Sequence, residues 1–550
     1  MFKTATVLGV LSVVLVIVFL GLQLVSCNGD PPANPSAPPP PPGATGTNVT
    51  TYHNDNARSG QNLAETILTP GNVNSSTFGK LFVIAVDGRV DAQPLYLAQM
   101  TIPGQGTHNV LYVATEHDSV YGFDADTGAR LWQVSMLAAG ETPSDDHGCG
   151  QITPEIGVTA TPVIDPKAGP HGTIYLVAMS KDGAGNYHQR LHALDATTGA
   201  EQFQGPQNIQ ASFPGTGDNS SGGKVVFAPG QYAERAALLL LNGVVYTAWT
   251  SHCDFRPYTG WIMGFDQSSL AEVSVLNLTP NGNEGSVWMS GAGPAADSSG
   301  NILLLEANGT FDTTLDANGF PGQGDFGNAF LKLSTANQRL AVADYFEVFN
   351  QAVENDSDQD LGSGGALVLP DLTDSLGHTR HLALGAGKDA NIYVVDRDAM
   401  GKFNSGKNNI YQEIQGALSG GVFSMPAYFN NTVYYGAVGD NIKAFALSSA
   451  QLESSPSSHT GNSFPYPGAT PSISANRTSN AILWAAENGS AALLHAYDAT
   501  NLAHELYNSS QASGGRDQVG AGNKFITPMI TNGKVYLGTT NGVGVFGLLP

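Results

Sequence analysis

Across residues 51–550 the apolar positions come in short alternating runs of Val, Leu, Ile, Tyr and Thr, separated by Gly and Asn turns, and no stretch sustains a period of 3.6. Alternation sends successive side chains to opposite faces of an extended chain, so the pattern predicts strands throughout and an all-β fold. The exception is at the beginning. Residues 4–25 are almost continuously apolar behind a single positive side chain, Lys3, which predicts an export signal. A proline-rich stretch, NGDPPANPSAPPPPPGATGTNVT, then runs to about residue 50. Proline removes backbone donors and holds the chain extended, so this stretch is expected to be a semi-rigid spacer. The expected division is therefore 1–26 signal, 27–50 tether and 51–550 folded domain.

The alternating runs repeat as units. One unit reads NVLYVATEHDSVYGFDADTGARLW and ends at Trp132; the next reads GTIYLVAMSKDGAGNYHQRLHALDATTGAEQF and ends at Phe203. In each, two strands lead to the turn Asp-x-x-Thr-Gly, with an aromatic eight positions after the Asp. Asp124 and Asp195 are placed to accept backbone N–H groups across the reversal, and Thr127 and Thr198 to add a hydroxyl bond. Gly128 and Gly199 permit positive φ. Degenerate copies follow to the end of the chain, and the eighth, KVYLGTTNGVGVFGLLP, lacks an outer strand. A small residue and a Pro stand before most copies, as at Thr161-Pro162, Met425-Pro426 and Thr527-Pro528, where a strand begins and no ladder donor is needed. Recurrence at this length predicts blades of four antiparallel strands. Near the start, GKLFVIAVDG alternates like an outer strand with no inner strands of its own. Its pairing with the final unit would close the ring and cover an exposed edge.

These motifs, FDADTGARLW and ALDATTG above all, resemble the pyrroloquinoline-quinone-like repeat of the quinoprotein alcohol dehydrogenase-like superfamily, and the resemblance covers roughly residues 79–548. It implies an eight-bladed β-propeller. The superfamily holds quinone-dependent alcohol and glucose dehydrogenases as well as non-enzymatic propellers, among them a lipoprotein scaffold of the outer-membrane assembly machine. The opening TYHNDNARSGQN and LTPGNVNSSTFGKLF look like an exported bacterial subgroup. Leu24, Val25, Ser26 and Cys27 likewise resemble the bacterial lipobox, in which a Cys is lipidated and becomes the new N-terminus. Cys27 is thus the expected lipidation site, favoured over an uncleaved transmembrane anchor. Asn28 follows it, and in a diderm envelope the sorting rule then points to the outer membrane.

Charge narrows the partners. With 23 Lys plus Arg against 46 Asp plus Glu, the net charge of −23 repels phosphate backbones, so no nucleic-acid partner is expected. Only 13% of residues are charged, and the polar surface is expected to be Asn, Ser, Thr and Gly.

Candidate chemistry is sparse. The resemblance would bring pyrroloquinoline quinone and calcium, held by an aromatic floor, a Glu, Asn and Asp set and often an adjacent cysteine pair, yet the chain has no Cys-Cys pair and no haem-attachment motif. No cofactor is expected. Cys149 and Cys253 remain after lipidation, and a disulfide between them is favoured in an oxidising compartment. The alternative is a Cys2His2 metal site with His147 and His252. Asp356, Asp358 and Asp360 space three carboxylates as calcium loops do, but Leu361 and Leu367 stand where such a loop needs Gly and Glu, so the calcium hypothesis is weak beside a solvated acidic turn. His53, Asn54, Asp55 and Arg58 read as a hydrogen-bonded clasp at one mouth of the ring. His188 and His192 share a strand face, but residues four apart on a strand lie about 13 Å apart and cannot share an ion. No hydrolase elbow, phosphate loop or zincin helix is present.

The expectation is a monomeric, lipid-anchored propeller that binds a protein or glycan partner through its loops, with the inserts DNSSGGKVVFAPGQY and DANGFPGQGDFGN as the contact surface. The alternative, from a different class, is a quinone- and calcium-dependent oxidoreductase.

Overall fold

The computed structural model describes residues 47–550. The signal, Cys27 and most of the tether lie outside the described residues. The tether was expected to run to residue 50, but the fold begins earlier: Val49 exchanges backbone hydrogen bonds with Tyr96, and the Thr531 hydroxyl donates to the Thr47 carbonyl at 2.6 Å. Composition misplaces this edge because Thr47–Thr50 owe their order to partners far along the chain.

The described chain is all-β. Among the described residues eight sheets of four to six strands follow one another, with two smaller ones beside them. The first sheet is a plain meander, Leu95–Ile102, Gly106–Ala114, Ser119–Asp124 and Arg130–Ser135, each strand antiparallel to the next. The next six span residues 142–208, 232–277, 295–346, 367–414, 427–464 and 472–508. The eighth takes three strands from the C-terminal end, Met529–Thr531, Lys534–Thr539 and Gly542–Leu548. Its fourth strand is Phe78–Ala85, antiparallel to the last, with Phe78 opposite Leu548 and Ala85 opposite Gly542. The core is divided accordingly: apolar clusters fill the spaces between consecutive sheets, one between the second and third, another between the fourth and fifth, another between the seventh and eighth.

The repeated turn explains how neighbours lock. Asp124 Oδ1 accepts the N–H groups of Asp126 and Thr127, at 2.9 and 2.7 Å, and the Thr127 hydroxyl at 2.8 Å. Asp195 Oδ1 does the same for Thr197 and Thr198, and the Thr197 hydroxyl, not anticipated from the motif, adds a bond at 2.6 Å. Gly128 and Gly199 sit at φ +75° and +72°. They also leave room for an aromatic from the sheet before: a Cβ on Gly199 would come within 2.8 Å of the Trp132 indole, and one on Gly128 within 2.9 Å of the Phe82 ring. Trp132 thereby ties the first sheet to the second, and Phe82, on the strand Phe78–Ala85, ties the eighth to the first.

Residues 49–62 run past the innermost strand of every sheet in turn. Val49 donates to the Tyr96 carbonyl at 2.9 Å, and the Thr50 carbonyl accepts from Ile164 at 2.8 Å. Asn56 donates through its amide to the Leu240 carbonyl at 2.8 Å and accepts from Ala296 at 2.6 Å. Ala57, Ser59 and Gly60 accept from Val368, Tyr428 and Ile473 at 3.0, 2.8 and 2.7 Å, and Asn62 donates to the Ile530 carbonyl at 3.0 Å. A segment this short reaches all eight inner strands only if they converge on it. It forms a belt along these inner strands.

Candidate binding cavity

A cavity of about 300 Å³ is bounded by segments that flank the inner strands of several sheets. Trp288, Phe423, Tyr466 and Phe525 form a continuous aromatic wall. Trp288 meets Phe423 and Phe525 edge-on, centroids 5.9 and 5.2 Å apart, and Tyr466 meets the same two rings at 5.5 and 6.2 Å. Arg235 enters the wall from the segment ahead of the strand Leu239–Leu241; its guanidinium carbon is 5.1 Å from the Phe525 centroid, a cation–π contact. Arg235 is only 4% exposed and has neither an ion pair nor a side-chain hydrogen bond to any described residue. Lys388 and Lys524 also line or approach this space, but Lys388 is held by Asp358 and by Asp360 at 2.8 Å, and Lys524 donates to Gln151 at 3.0 Å.

The sequence-selected groups fall around the rim. Cys149 and Cys253 are joined by a disulfide, Cα atoms 5.5 Å apart, across 104 residues of sequence. His147 and His252 stack face to face, centroids 3.9 Å apart with planes 10° apart. Imidazole lone pairs lie in the ring plane, so two stacked rings do not aim at one ion, and the cysteine sulfurs are spent on each other. The structure thus assembles no Cys2His2 centre. Burial, then the charge of His147, pulls His252 down to about 3, and its Nε2 is buried without a partner.

The three aspartates do not converge. Asp356 ends the short helix Gln351–Asp356, while Asp358 and Asp360 grip Lys388 instead of a cation. Among the described residues no group of three His, Cys, Asp or Glu is arranged to hold a metal. His188 faces Glu141 and Asp182, and His192 pairs with Glu201 at 3.0 Å, so they serve separate networks. His53 and Arg58 belong to the belt. Arg58, with no exposed surface, donates to Thr51 at 2.7 Å and to the carbonyls of Tyr52, Pro294 and Leu238 at 2.9, 3.0 and 3.1 Å. Both ring nitrogens of His53 lie 2.9 Å from carbonyl oxygens, of Arg58 and Pro471. The clasp is structural in its contacts, and none of its groups faces the aromatic wall.

Arg235 and the aromatics were missed by sequence reasoning. A signal existed: Phe423, Tyr466, Phe525 and Trp288 each stand a few residues ahead of a Pro that begins an inner strand, at Pro426, Pro471, Pro528 and Pro294. A side chain there points into the space between strand starts. Arg235 carries no such mark.

Comparison with known proteins agrees with this architecture. The family model described as "Outer membrane protein assembly factor BamB" matches residues 89–249. Among solved structures, the quinohemoprotein alcohol dehydrogenase from Comamonas testosteroni is 13% identical with a TM-score of 0.59, over 91% of this chain and 80% of that one. A quinohemoprotein alcohol dehydrogenase from Pseudomonas putida HK5 gives the same values. A europium-containing methanol dehydrogenase is 12% identical with a TM-score of 0.53, over 91% of this chain and 98% of that one. No curated protein matches in sequence. At these identities the likeness establishes the fold, a β-propeller, and the family model reaches less than a third of the chain.

The donor set here does not fit a quinone with its calcium ion. Of the acids lining the cavity, Asp358 and Asp360 are held by Lys388, no three His, Cys, Asp or Glu among the described residues are arranged to hold a metal, and the cysteines bridge distant segments instead of neighbouring residues.

Proposed function

We propose that this chain is an envelope protein, lipid-anchored through Cys27 and monomeric, whose eight sheets are the blades of one ring closed by Phe78–Ala85. It acts as a binding or assembly scaffold for a protein or glycan partner. The observation that carries the reading is the cavity: aromatic faces and a cation are displayed among loops, and among the described residues no three His, Cys, Asp or Glu are arranged beside them to hold a metal. A rigid ring presenting loops is suited to recognition. Envelope residence agrees with the description of the matching family.

The test has two arms. Lipid labelling and membrane fractionation of the parent and Cys27→Ser should show a labelled, membrane-bound parent and a released variant. A photo-crosslinker at Tyr466 should capture a defined partner in cells, and one at Leu376, an exposed side chain of another loop, should not. Equal labelling of both Cys27 forms overturns the anchor. Dye reduction by the purified protein on adding quinone and calcium overturns the scaffold reading in favour of the oxidoreductase.

A further inference from the structure

Among the described residues the buried arginines and the half-buried Lys388 come with their partners, save one. Arg58 has four acceptors, Arg397 pairs with Asp297 at 3.1 Å, and Lys388 has two carboxylates. Taking a charge out of water costs several kcal/mol unless a counter-charge or hydrogen bonds offset it. Arg235 has the burial without the offset. The acid nearest to it in sequence makes no contact with it: Glu234 accepts from the Ala248 N–H at 3.3 Å, and burial pushes its carboxyl up. The guanidinium, backed by the Phe525 ring, opens instead on the cavity.

From this geometry we infer that the cavity is a receptor for one carboxylate borne on a planar apolar body, an aromatic monocarboxylate. The carboxylate completes the guanidinium fork, whose parallel N–H groups match its two oxygens. The body lies against the aromatic wall, and a volume of about 300 Å³ suits a small ligand. Charge decides against a phosphate or a polycarboxylate. Arg235 is the one unpaired cation among the described residues of the lining, and Asp146 and Asp254 stand on the rim, where a second negative charge meets repulsion. No divalent cation is required. The inference rests on the binding reading above and narrows its ligand class.

The test is titration of the full chain with 2-naphthoate, its neutral amide 2-naphthamide and 2-naphthyl phosphate, by calorimetry and by tryptophan emission, in the presence of a chelator. The expected result is that naphthoate binds at least ~10-fold tighter than the amide, that Arg235→Gln removes this preference, and that Arg235→Lys keeps part of it. A second readout is independent of any ligand: Arg235→Met should melt no lower than the parent, because it relieves an unpaired buried charge. Equal affinity for acid and amide, unchanged binding by Arg235→Gln, preference for the phosphate, or binding that appears only with calcium each overturns the inference. If it fails while Tyr466 still crosslinks its partner in the Arg235→Gln protein, the scaffold reading survives without it.

Discussion

The belt and the cavity follow opposite rules. In residues 47–65 no buried side-chain nitrogen or oxygen lacks a partner, and Arg58 satisfies four acceptors at once. At the cavity Arg235 has no partner and His252 Nε2 is orphaned, while Glu306, beside the lining residue Ala307, leaves both carboxylate oxygens unmet. A buried polar group without a partner costs stability that a purely structural region has every reason to recover. The belt is what this fold looks like when it is finished. The cavity is unfinished by the protein's own atoms, which makes it the place to look for a ligand.

The contrast can be attacked by mutation. The largest effect should come from removing residues 78–85, since Phe78 and Ile84 are buried and the eighth sheet loses its outer strand. A loss of roughly 6 kcal/mol is expected, seen as a fall in the cooperative melting temperature of the whole domain. An unchanged midpoint would mean that the ring is held otherwise. Arg58→Met strands four buried acceptors at about 1 kcal/mol each, ~4 kcal/mol in all, so it should melt far below the parent, whereas Arg235→Met should not. If the two variants melt alike, the distinction between belt and cavity collapses. Cys149→Ser opens a loop of 104 residues and should cost about 3 kcal/mol; chemical unfolding with and without reductant checks it, and a midpoint indifferent to reductant argues against the bridge.

Two smaller effects depend on pH and have opposite signs. His252 is pulled down from 6.5 to about 3, so between these values the unfolded chain binds the proton that the folded chain refuses. Its contribution is present above pH 6.5 and is lost as pH falls toward 3. His252→Phe, which preserves a ring beside His147, should flatten the acid limb of a melting-temperature profile. Glu306 is pushed up, by burial first and then by the charges of Glu347 and Asp325. Its contribution is present below the unfolded value of 4.5 and is lost as pH rises. Glu306→Gln should therefore raise the melting temperature by an amount on the order of 2 °C at neutral pH and by less at pH 4. A constant difference across pH would show that ionisation is not the cause.

What could be read from the chain was what lies close together along it. Asp124 and Asp195 make their turns with atoms two or three residues away, so motif and geometry are nearly the same statement. Phe78–Ala85 was legible for a different reason: an alternating strand without inner partners needs an edge, and the last unit lacked one. The cavity was not legible. Its wall gathers Trp288, Phe423, Tyr466 and Phe525 from separate repeats, and nothing in the sequence around Arg235 distinguishes it from a salt-bridged arginine such as Arg190, which pairs with Glu141 at 2.6 Å. The aspartates at 356, 358 and 360 illustrate the converse. Their spacing suggested calcium, and the group that meets two of them, Lys388, lies on another sheet's loop.

The partnership of Phe78–Ala85 with Gly542–Leu548 also sets an order in time. A ribosome delivers the chain from its beginning, so Phe78–Ala85 waits, unpaired, until Gly542–Leu548 has been made. The belt waits with it, because Asn62 needs Ile530. A chain lacking residues 529–548 would leave Phe78–Ala85 without its partner strand and Asn62 without the Ile530 carbonyl, while the rest of the belt keeps its partners. A protease that reaches Phe78–Ala85 therefore acts before the eighth sheet is assembled rather than after it.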